Sequence, residues 1–261
     1  MGAYTASLPE IGRLIPSVLD TYANGILRHV RDIHKLSGRS DHAQTEFISH
    51  RILTELGIGT HDRLVDIGCG DGTLLRAALR AGVSNPIGLS GTEEESERLR
   101  ALGLNVSQGL TDALPLPDRS VSAIVCHSVL HIVPAEKIPE SLREIARIAE
   151  PEARIWIGEL PRFREPASIR SFDTVPEMLW WLLRKRGLRT FLGMCRRLLS
   201  GAQQGPVLRT AQAFWAEPEQ FARMAAEAGL TIERHFPNQI VDSHQHVSTS
   251  DARYDYLLRR E

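Results

Sequence analysis

The sequence has few cysteines and no long apolar run. Cys69, Cys126 and Cys195 lie far apart among 261 residues. This spacing excludes a zinc site of paired cysteines and a disulfide framework, and it favours a reducing compartment. No apolar run reaches the ~18 residues that span a bilayer, and no signal-peptide pattern is present. We therefore expect a cytoplasmic protein.

An excess of charge of one sign is also missing. The 31 Lys and Arg residues nearly balance the 32 Asp and Glu residues, giving a formal net charge of −1. This balance argues against a broad nucleic-acid-binding face, so no nucleic-acid partner is expected. The length allows one large domain, or one domain with an appended lid.

One stretch organises the chain, and it runs from Leu64 to Leu75 as LVDIGCGDGTLL. Arg63 to Ile67 is apolar enough to form a strand. The apolar residues of Thr73 to Arg80 recur at helical spacing. The glycines between them reach positive φ and allow a ligand to approach the main chain. Because a helix N-terminus presents free N–H groups, the stretch predicts a ligand-binding turn.

The acid before the glycines distinguishes this turn from a dinucleotide site. Gly68 and Gly70 fit G-x-G-x-x-G/A, but position 73 is Thr. The pattern Asp66-x-Gly68-x-Gly70-x-Gly72 resembles motif I of the class I, Rossmann-like S-adenosylmethionine-dependent methyltransferases, in their small-molecule branch. A nicotinamide-linked oxidoreductase and a catalytically silent S-adenosylmethionine-binding or partner protein remain alternatives.

The resemblance implies an α/β fold with a seven-stranded, mostly parallel, doubly wound sheet and an antiparallel C-terminal edge hairpin. Residues 1–60 would form an N-terminal helical lid. Residues 61–261 would form the core, with a helical insertion over 162–210 after strand five. The residues themselves predict later strands over 86–89, 105–108, 121–126, 154–157, 231–236 and 253–258, and a helix over 134–149.

The resemblance also implies S-adenosyl-L-methionine as cofactor and S-adenosyl-L-homocysteine as product. The expected cofactor-binding residues are Asp66, Gly68, Cys69, Gly70, Ser90, Gly91, Thr111, Asp112 and Cys126. Asp66 would pair with the methionine ammonium. Three positions depart from the family: Ser90 replaces the ribose-binding acid, Leu110 replaces the acid beside the adenine, and Ser122 replaces an Asp. Because of these departures, a catalytically silent binding or partner protein remains an alternative.

Two histidines follow the fourth predicted strand, where the resemblance implies the methyl acceptor. His127 and His131 are four residues apart, so on a helical turn they would share a face. A neutral imidazole there could take a proton from an acceptor hydroxyl, although a structural role explains the same residues. His244 and His246 have no evident third ligand, so no metal is expected.

The segment 177–200 combines an apolar run with concentrated positive charge. Its tryptophans are Trp180 and Trp181, and its basic residues are Arg184, Lys185, Arg186, Arg189, Arg196 and Arg197. Three interpretations fit: a hairpin packed on the core, a cap for a large apolar or anionic acceptor, and a helix in peripheral membrane contact. The last two predict a lipid- or sugar-linked small-molecule acceptor, methylated on oxygen or nitrogen.

Overall fold

The computed structural model describes most of the predicted core. It describes residues 42–162, 214–241 and 246–261, together with Leu179, Trp180, Leu183, Arg184, Leu188, Phe191, Leu192 and Cys195. Most of the predicted lid, most of the predicted insertion and His244 lie outside the described residues.

Within the described ranges, seven strands form one sheet in the order β3-β2-β1-β4-β5-β7-β6. The strands are β1 Leu64–Ile67, β2 Ile87–Ser90, β3 Val106–Gln108, β4 Val121–His127, β5 Ala149–Pro161, β6 Leu230–Val241 and β7 Val247–Arg260. The first five strands pair in parallel, and β7 runs antiparallel to both β5 and β6. The predicted sheet and its antiparallel hairpin are confirmed.

Helices cover both faces of this sheet. The α-helices are α1 His42–Glu55, α2 Thr73–Arg80, α3 Glu93–Arg100, α4 Ile138–Ile148 and α5 Pro218–Glu227, and 3-10 turns span Leu130–Ile132 and Ala135–Lys137. Helix α2 has the predicted bounds, with its apolar side buried and Gly72 as its N-cap at φ 78°. Thr92 caps α3 by accepting a hydrogen bond from the Glu95 N–H. None of the helices in the described ranges is both long and apolar enough to cross a membrane.

Apolar side chains fill the core on both sides of the central strands. Along β4, Ile124 and Cys126 belong to one buried cluster with α4 and α5, whereas Ala123 and Val125 belong to another with α1 and α2. Strands buried on both faces read as continuous apolar runs, which is the pattern of a parallel sheet between helical layers.

Several elements differ in length from the sequence-based prediction. Strand β5 runs over Ala149–Pro161, because Ala149 pairs with Val121 and Leu160 pairs with Tyr254 beyond the predicted 154–157. The hairpin strands also extend past their predicted ends, up to the Val241–Val247 pair. Pairing with a neighbouring strand therefore sets these lengths, and local composition does not reveal it.

A buried charge pair joins α1 to the C-terminal hairpin. Arg51 on α1 donates to the fully buried carboxylate of Asp255 on β7 over 3.0 Å. The same carboxylate accepts from the Glu159 backbone N–H over 2.9 Å and from the Asn238 side chain. Gln44, within the predicted lid, is hydrogen-bonded to the β6 backbone. Helix α1 is therefore part of the core packing.

We predict that Asp255→Ala lowers the free energy of unfolding by about 3–5 kcal/mol, because it leaves the largely covered Arg51, 11% exposed, without its charge partner. The matched control is Glu233→Ala, which removes the partly exposed partner of Arg259 and should cost about 1 kcal/mol or less. Urea denaturation of both variants measures the difference. Equal losses would show that the buried pair contributes no more than a surface pair.

Candidate functional site

The glycine turn between β1 and α2 is bonded to the end of β2. The backbone N–H groups of Gly68 and Cys69 both donate to the Leu89 carbonyl, over 2.8 and 3.0 Å. Gly68, Gly70 and Gly72 all have positive φ, at 74°, 55° and 78°. The turn therefore has the left-handed geometry that favours glycine. The Gly72 N–H also donates to the Cys69 carbonyl, so three N–H groups of the turn are used inside the protein.

The three glycines serve different purposes. A Cβ added at Gly68 would lie 2.4 Å from Val129 Cγ2, and one at Gly72 would lie 2.4 Å from Leu104 Cδ1. A Cβ added at Gly70 would meet no atom within 4 Å. Packing within the protein therefore requires glycine at 68 and 72, whereas Gly70 faces open space where a ligand can approach.

Asp66 lies beside this turn as a buried acid. It is 5% exposed, and burial, followed by the negative charge of Asp71, raises its pKa to about 7. The described residues offer its carboxylate no hydrogen bond or ion pair. Asp66 pairs with Val125 in the sheet, so it lies on the same face as His127, two residues further along β4. A cationic ligand group at the turn would remove the cost of ionising this acid.

The end of β2 brings Ser90 and Gly91 next to the glycine turn. Ser90 is buried, and its hydroxyl makes no hydrogen bond to the described residues. The Gly91 carbonyl accepts from Gln108 Nε2 over 3.3 Å. Glu93, which could have replaced the missing ribose acid, is paired with Arg100 instead. Ser90, and not Glu93, is therefore the polar side chain at the end of β2.

The loop after β3 is bonded to α4. Thr111 is buried and its hydroxyl accepts from Ser141 Oγ over 2.9 Å. The Asp112 carboxylate is ion-paired with Lys137. Leu110, in the position of the missing adenine acid, is 40% exposed. The loop therefore presents an apolar side chain, while both candidate polar residues are bonded to the protein.

The two candidate catalytic histidines do not share a helical turn, so that structural expectation is wrong. His127 is the last residue of β4, and His131 lies in the 3-10 turn Leu130–Ile132. Ser128 between them has φ 62°, which changes the chain direction directly after the strand. Both histidines remain near the carboxyl end of β4, but on different elements.

Three further positions are buried or hydrogen-bonded within the protein. Cys69 and Cys126 are buried in apolar clusters, and this burial raises the pKa of both thiols. Ser122 lies at the amino end of β4, where its hydroxyl accepts from the Arg63 N–H and donates to Asp62. The departure at 122 is therefore remote from the glycine turn and is no sign of a lost cofactor site.

Glu159 is a residue that the sequence-based analysis did not select. It is buried at the carboxyl edge of the sheet, with φ 59°, next to the Gly158 that pairs with His127. Its carboxylate lies 3.8 Å from the Arg253 guanidinium. Strained residues in such positions gather at functional sites, which makes Glu159 a candidate for acceptor contact. The only sequence signal was an acid directly after a glycine at a strand end.

Comparison with known proteins agrees with this geometry. Residues 65–157 match the family model described as a methyltransferase domain. The 27-O-demethylrifamycin SV methyltransferase of Amycolatopsis mediterranei is 30% identical over 138 residues, 49% of each chain. An uncharacterized methyltransferase of Schizosaccharomyces pombe is 22% identical over 188 residues, 70% of this chain and 64% of the relative. The chain thus spans about half to two thirds of these relatives.

Solved structures share this fold. The magnesium protoporphyrin IX methyltransferase of Synechocystis, with bound S-adenosylhomocysteine, has a TM-score of 0.58 at 14% identity and covers 94% of this chain and 99% of its own. Residues 65–157 thus match a methyltransferase domain by sequence, and the fold is shared with solved methyltransferases that depend on S-adenosylmethionine.

The site residues fit that cofactor in two respects. The Asp66 carboxylate is buried without a described bonding partner, and an ammonium group is a suitable one. Gly70 leaves open space beside the main chain at the start of α2. An anionic or polar ligand group can approach a helix N-terminus in this way.

We predict that Gly70→Ala weakens S-adenosylmethionine binding by tenfold or more, because the added methyl enters the open space at the turn. Gly103→Ala is the matched control, since Gly103 also has positive φ and open surroundings but lies near the amino end of β3. Both substitutions should cost about 1–2 kcal/mol of stability from backbone strain. Calorimetric titration with unchanged affinity in the Gly70 variant would show that the turn is not the binding site.

We predict that Asp66 makes the unliganded protein less stable as pH rises. Its pKa is 3.8 in an ordinary environment and about 7 when folded, so between these values the folded state binds more protons than the unfolded state. Stability relative to Asp66→Asn should therefore fall from about pH 4 to about pH 7, by up to about 1.4 kcal/mol per pH unit. Urea denaturation of both proteins measures this, and a pH-independent difference would contradict it.

Proposed function

We propose that this chain, which carries a class I, Rossmann-like methyltransferase domain over residues 65–157, transfers a methyl group from S-adenosylmethionine to a small-molecule acceptor. The proposal is supported above all by the buried Asp66 carboxylate, which lies beside the open space at Gly70. The cofactor supplies an activated methyl: the acceptor's lone pair forms the new bond to carbon, the C–S electron pair stays on sulfur, and S-adenosylhomocysteine leaves.

In this proposal, Asp66 binds the methionine ammonium and the backbone at Gly70 lies along the methionine. Ser90 and Gly91 bind the ribose through neutral hydrogen bonds, which are weaker than those of a carboxylate. Leu110 packs on the adenine, and the Thr111 and Asp112 segment borders it. Because two of the carboxylates usual in the family are absent, we expect moderate cofactor affinity.

The proposed acceptor lies beyond the carboxyl ends of β4 and β5, near His127, His131 and Glu159. Ligands of open α/β sheets bind at that edge. There the protein's main contribution is to hold the acceptor atom in line with the methyl, and such positioning can supply about 7–11 kcal/mol. A hydroxyl acceptor needs a proton acceptor nearby, whereas an amine or carboxylate does not.

The finer proposal is that the acceptor is a large apolar molecule with an anionic group, such as a lipid- or sugar-linked intermediate. Trp180, Leu183, Leu188 and Leu192 are exposed, and the Arg184 guanidinium lies 5.0 Å from the Trp180 ring centre. Apolar and cationic side chains side by side suit such an acceptor, or a membrane surface that carries it. The relative named for a rifamycin substrate supports O-methylation of a large molecule.

The free cysteines support a cytoplasmic location.

Calorimetric titration with S-adenosylmethionine, S-adenosylhomocysteine and a nicotinamide dinucleotide tests the cofactor. We expect binding of the first two alone, with affinity increasing through about pH 7 as Asp66 ionises. Mass spectrometry of an acceptor panel then tests methyl transfer. Binding without any methylated product favours a silent binding protein, and binding of the dinucleotide alone favours an oxidoreductase.

Co-sedimentation with neutral and anionic lipid vesicles tests the membrane version of the finer proposal. Binding to anionic vesicles should amount to about 1 kcal/mol per basic residue near the surface and should decrease with salt. Trp180→Ser should weaken it, whereas the matched control Trp215→Ser, at an exposed tryptophan outside the insertion, should not. Absence of vesicle binding would restrict the segment to a cap over the acceptor.

A further inference from the structure

A buried tryptophan donates a hydrogen bond to His127. Trp156 Nε1 lies 3.3 Å from His127 Nδ1, and Trp156 on β5 is fully buried. An indole nitrogen is a donor only, so in this contact Nδ1 must be the acceptor. A neutral imidazole has one N–H and one lone pair. With the lone pair at Nδ1 used by the indole, the proton is on Nε2.

Gly158 makes this contact possible. Gly158 is paired with His127 in the sheet and lies two residues after Trp156 on the same face of β5. A Cβ added there would lie 2.1 Å from His127 Nδ1 and 2.5 Å from Trp156 Nε1. The missing side chain therefore leaves the space in which imidazole and indole meet.

The indole is itself fixed in position by its surroundings. Its ring centre lies 5.5 Å from that of Phe236, and the Arg51 guanidinium lies 5.4 Å from the indole and 4.7 Å from the phenyl ring. Arg51 is fixed in turn by Asp255. Reorienting Trp156 would disturb this packing, so His127 has a fixed donor on its Nδ1 side.

We propose that Trp156 is a positioning residue that fixes His127 as the Nε2–H tautomer, so that His127 donates a hydrogen bond to the acceptor and does not remove its proton. The part about the acceptor depends on the proposed function; the tautomer does not. A base needs an unprotonated nitrogen directed at the acceptor, and the unprotonated nitrogen of His127 is directed at Trp156. The acceptor should therefore present a lone pair, such as a carboxylate, carbonyl or phenolate oxygen, beside the methylated atom.

The tautomer can be measured on the cofactor-free protein with isotope-labelled histidine. Long-range proton–nitrogen NMR correlation spectra distinguish a nitrogen that carries a proton from one that does not, and loss of signals in His127→Gln assigns the residue. We expect protonated Nε2 and unprotonated Nδ1 at neutral pH. Trp156→Phe should give a mixture of tautomers, whereas the matched control Trp215→Phe should leave the spectrum of His127 unchanged.

A proton on Nδ1 in the wild-type protein, or a Trp156→Phe spectrum identical to it, would overturn the proposal. Gly158→Ala provides a second perturbation if Trp156→Phe does not fold, and the wild-type spectrum alone is decisive if neither folds. Failure to bind S-adenosylmethionine would overturn the proposed function without changing the tautomer.

With a substrate from the acceptor panel, His127→Gln should keep more of kcat/KM than His127→Leu, because glutamine can still donate from its amide. A general base contributes about 10²–10⁴-fold, and its loss would be similar in both variants. Equal losses of that size would contradict the donor role.

Discussion

Parallel pairing of β1 with β2 on one side and β4 on the other is the constraint on which the site depends. Because these strands run in one direction, their carboxyl ends meet at one edge, and the residues after each strand become neighbours. The Leu89 carbonyl, which accepts from both Gly68 and Cys69, bonds the glycine turn to the end of β2. The open space at Gly70 follows from this arrangement and not from the glycine alone.

The burial of Asp66 would link stability to the binding of a cationic ligand. A carboxylate without a bonding partner in a buried position is costly to ionise, which is why its pKa is raised to about 7. An ammonium ligand would stabilise the ionised form and so compensate for that cost. The unliganded fold is therefore less stable at this position than it would be with a neutral residue, a compromise that functional sites often show.

Two polar networks support the site from opposite faces of the sheet. On the α1 side, Arg51 and Asp255 fix Trp156, which in turn contacts His127. On the α4 side, Arg147 bonds to the carbonyls of Leu114 and Leu116 and so fixes the loop after β3. Side chains away from the glycine turn thus fix the positions of His127 and of the loop after β3. Both networks connect residues about thirty or more positions apart in the chain.

Elements whose signals are local could be predicted from neighbouring residues. The Asp-x-Gly-x-Gly-x-Gly pattern and the periodicity after it predicted the turn and the bounds of helix α2, because backbone freedom and helical spacing are properties of neighbouring residues. The family resemblance on the same residues predicted the seven-stranded sheet, which the structure confirms.

Tertiary structure alone decided the long β5, the separate elements of His127 and His131, and the remote position of Ser122. It also decided that Asp112 bonds to Lys137 and that Glu159 directly follows the Gly158 that pairs with His127. Each of these depends on which distant segment packs alongside, and strand pairing and charge partnership between distant segments leave no periodic pattern in one sequence.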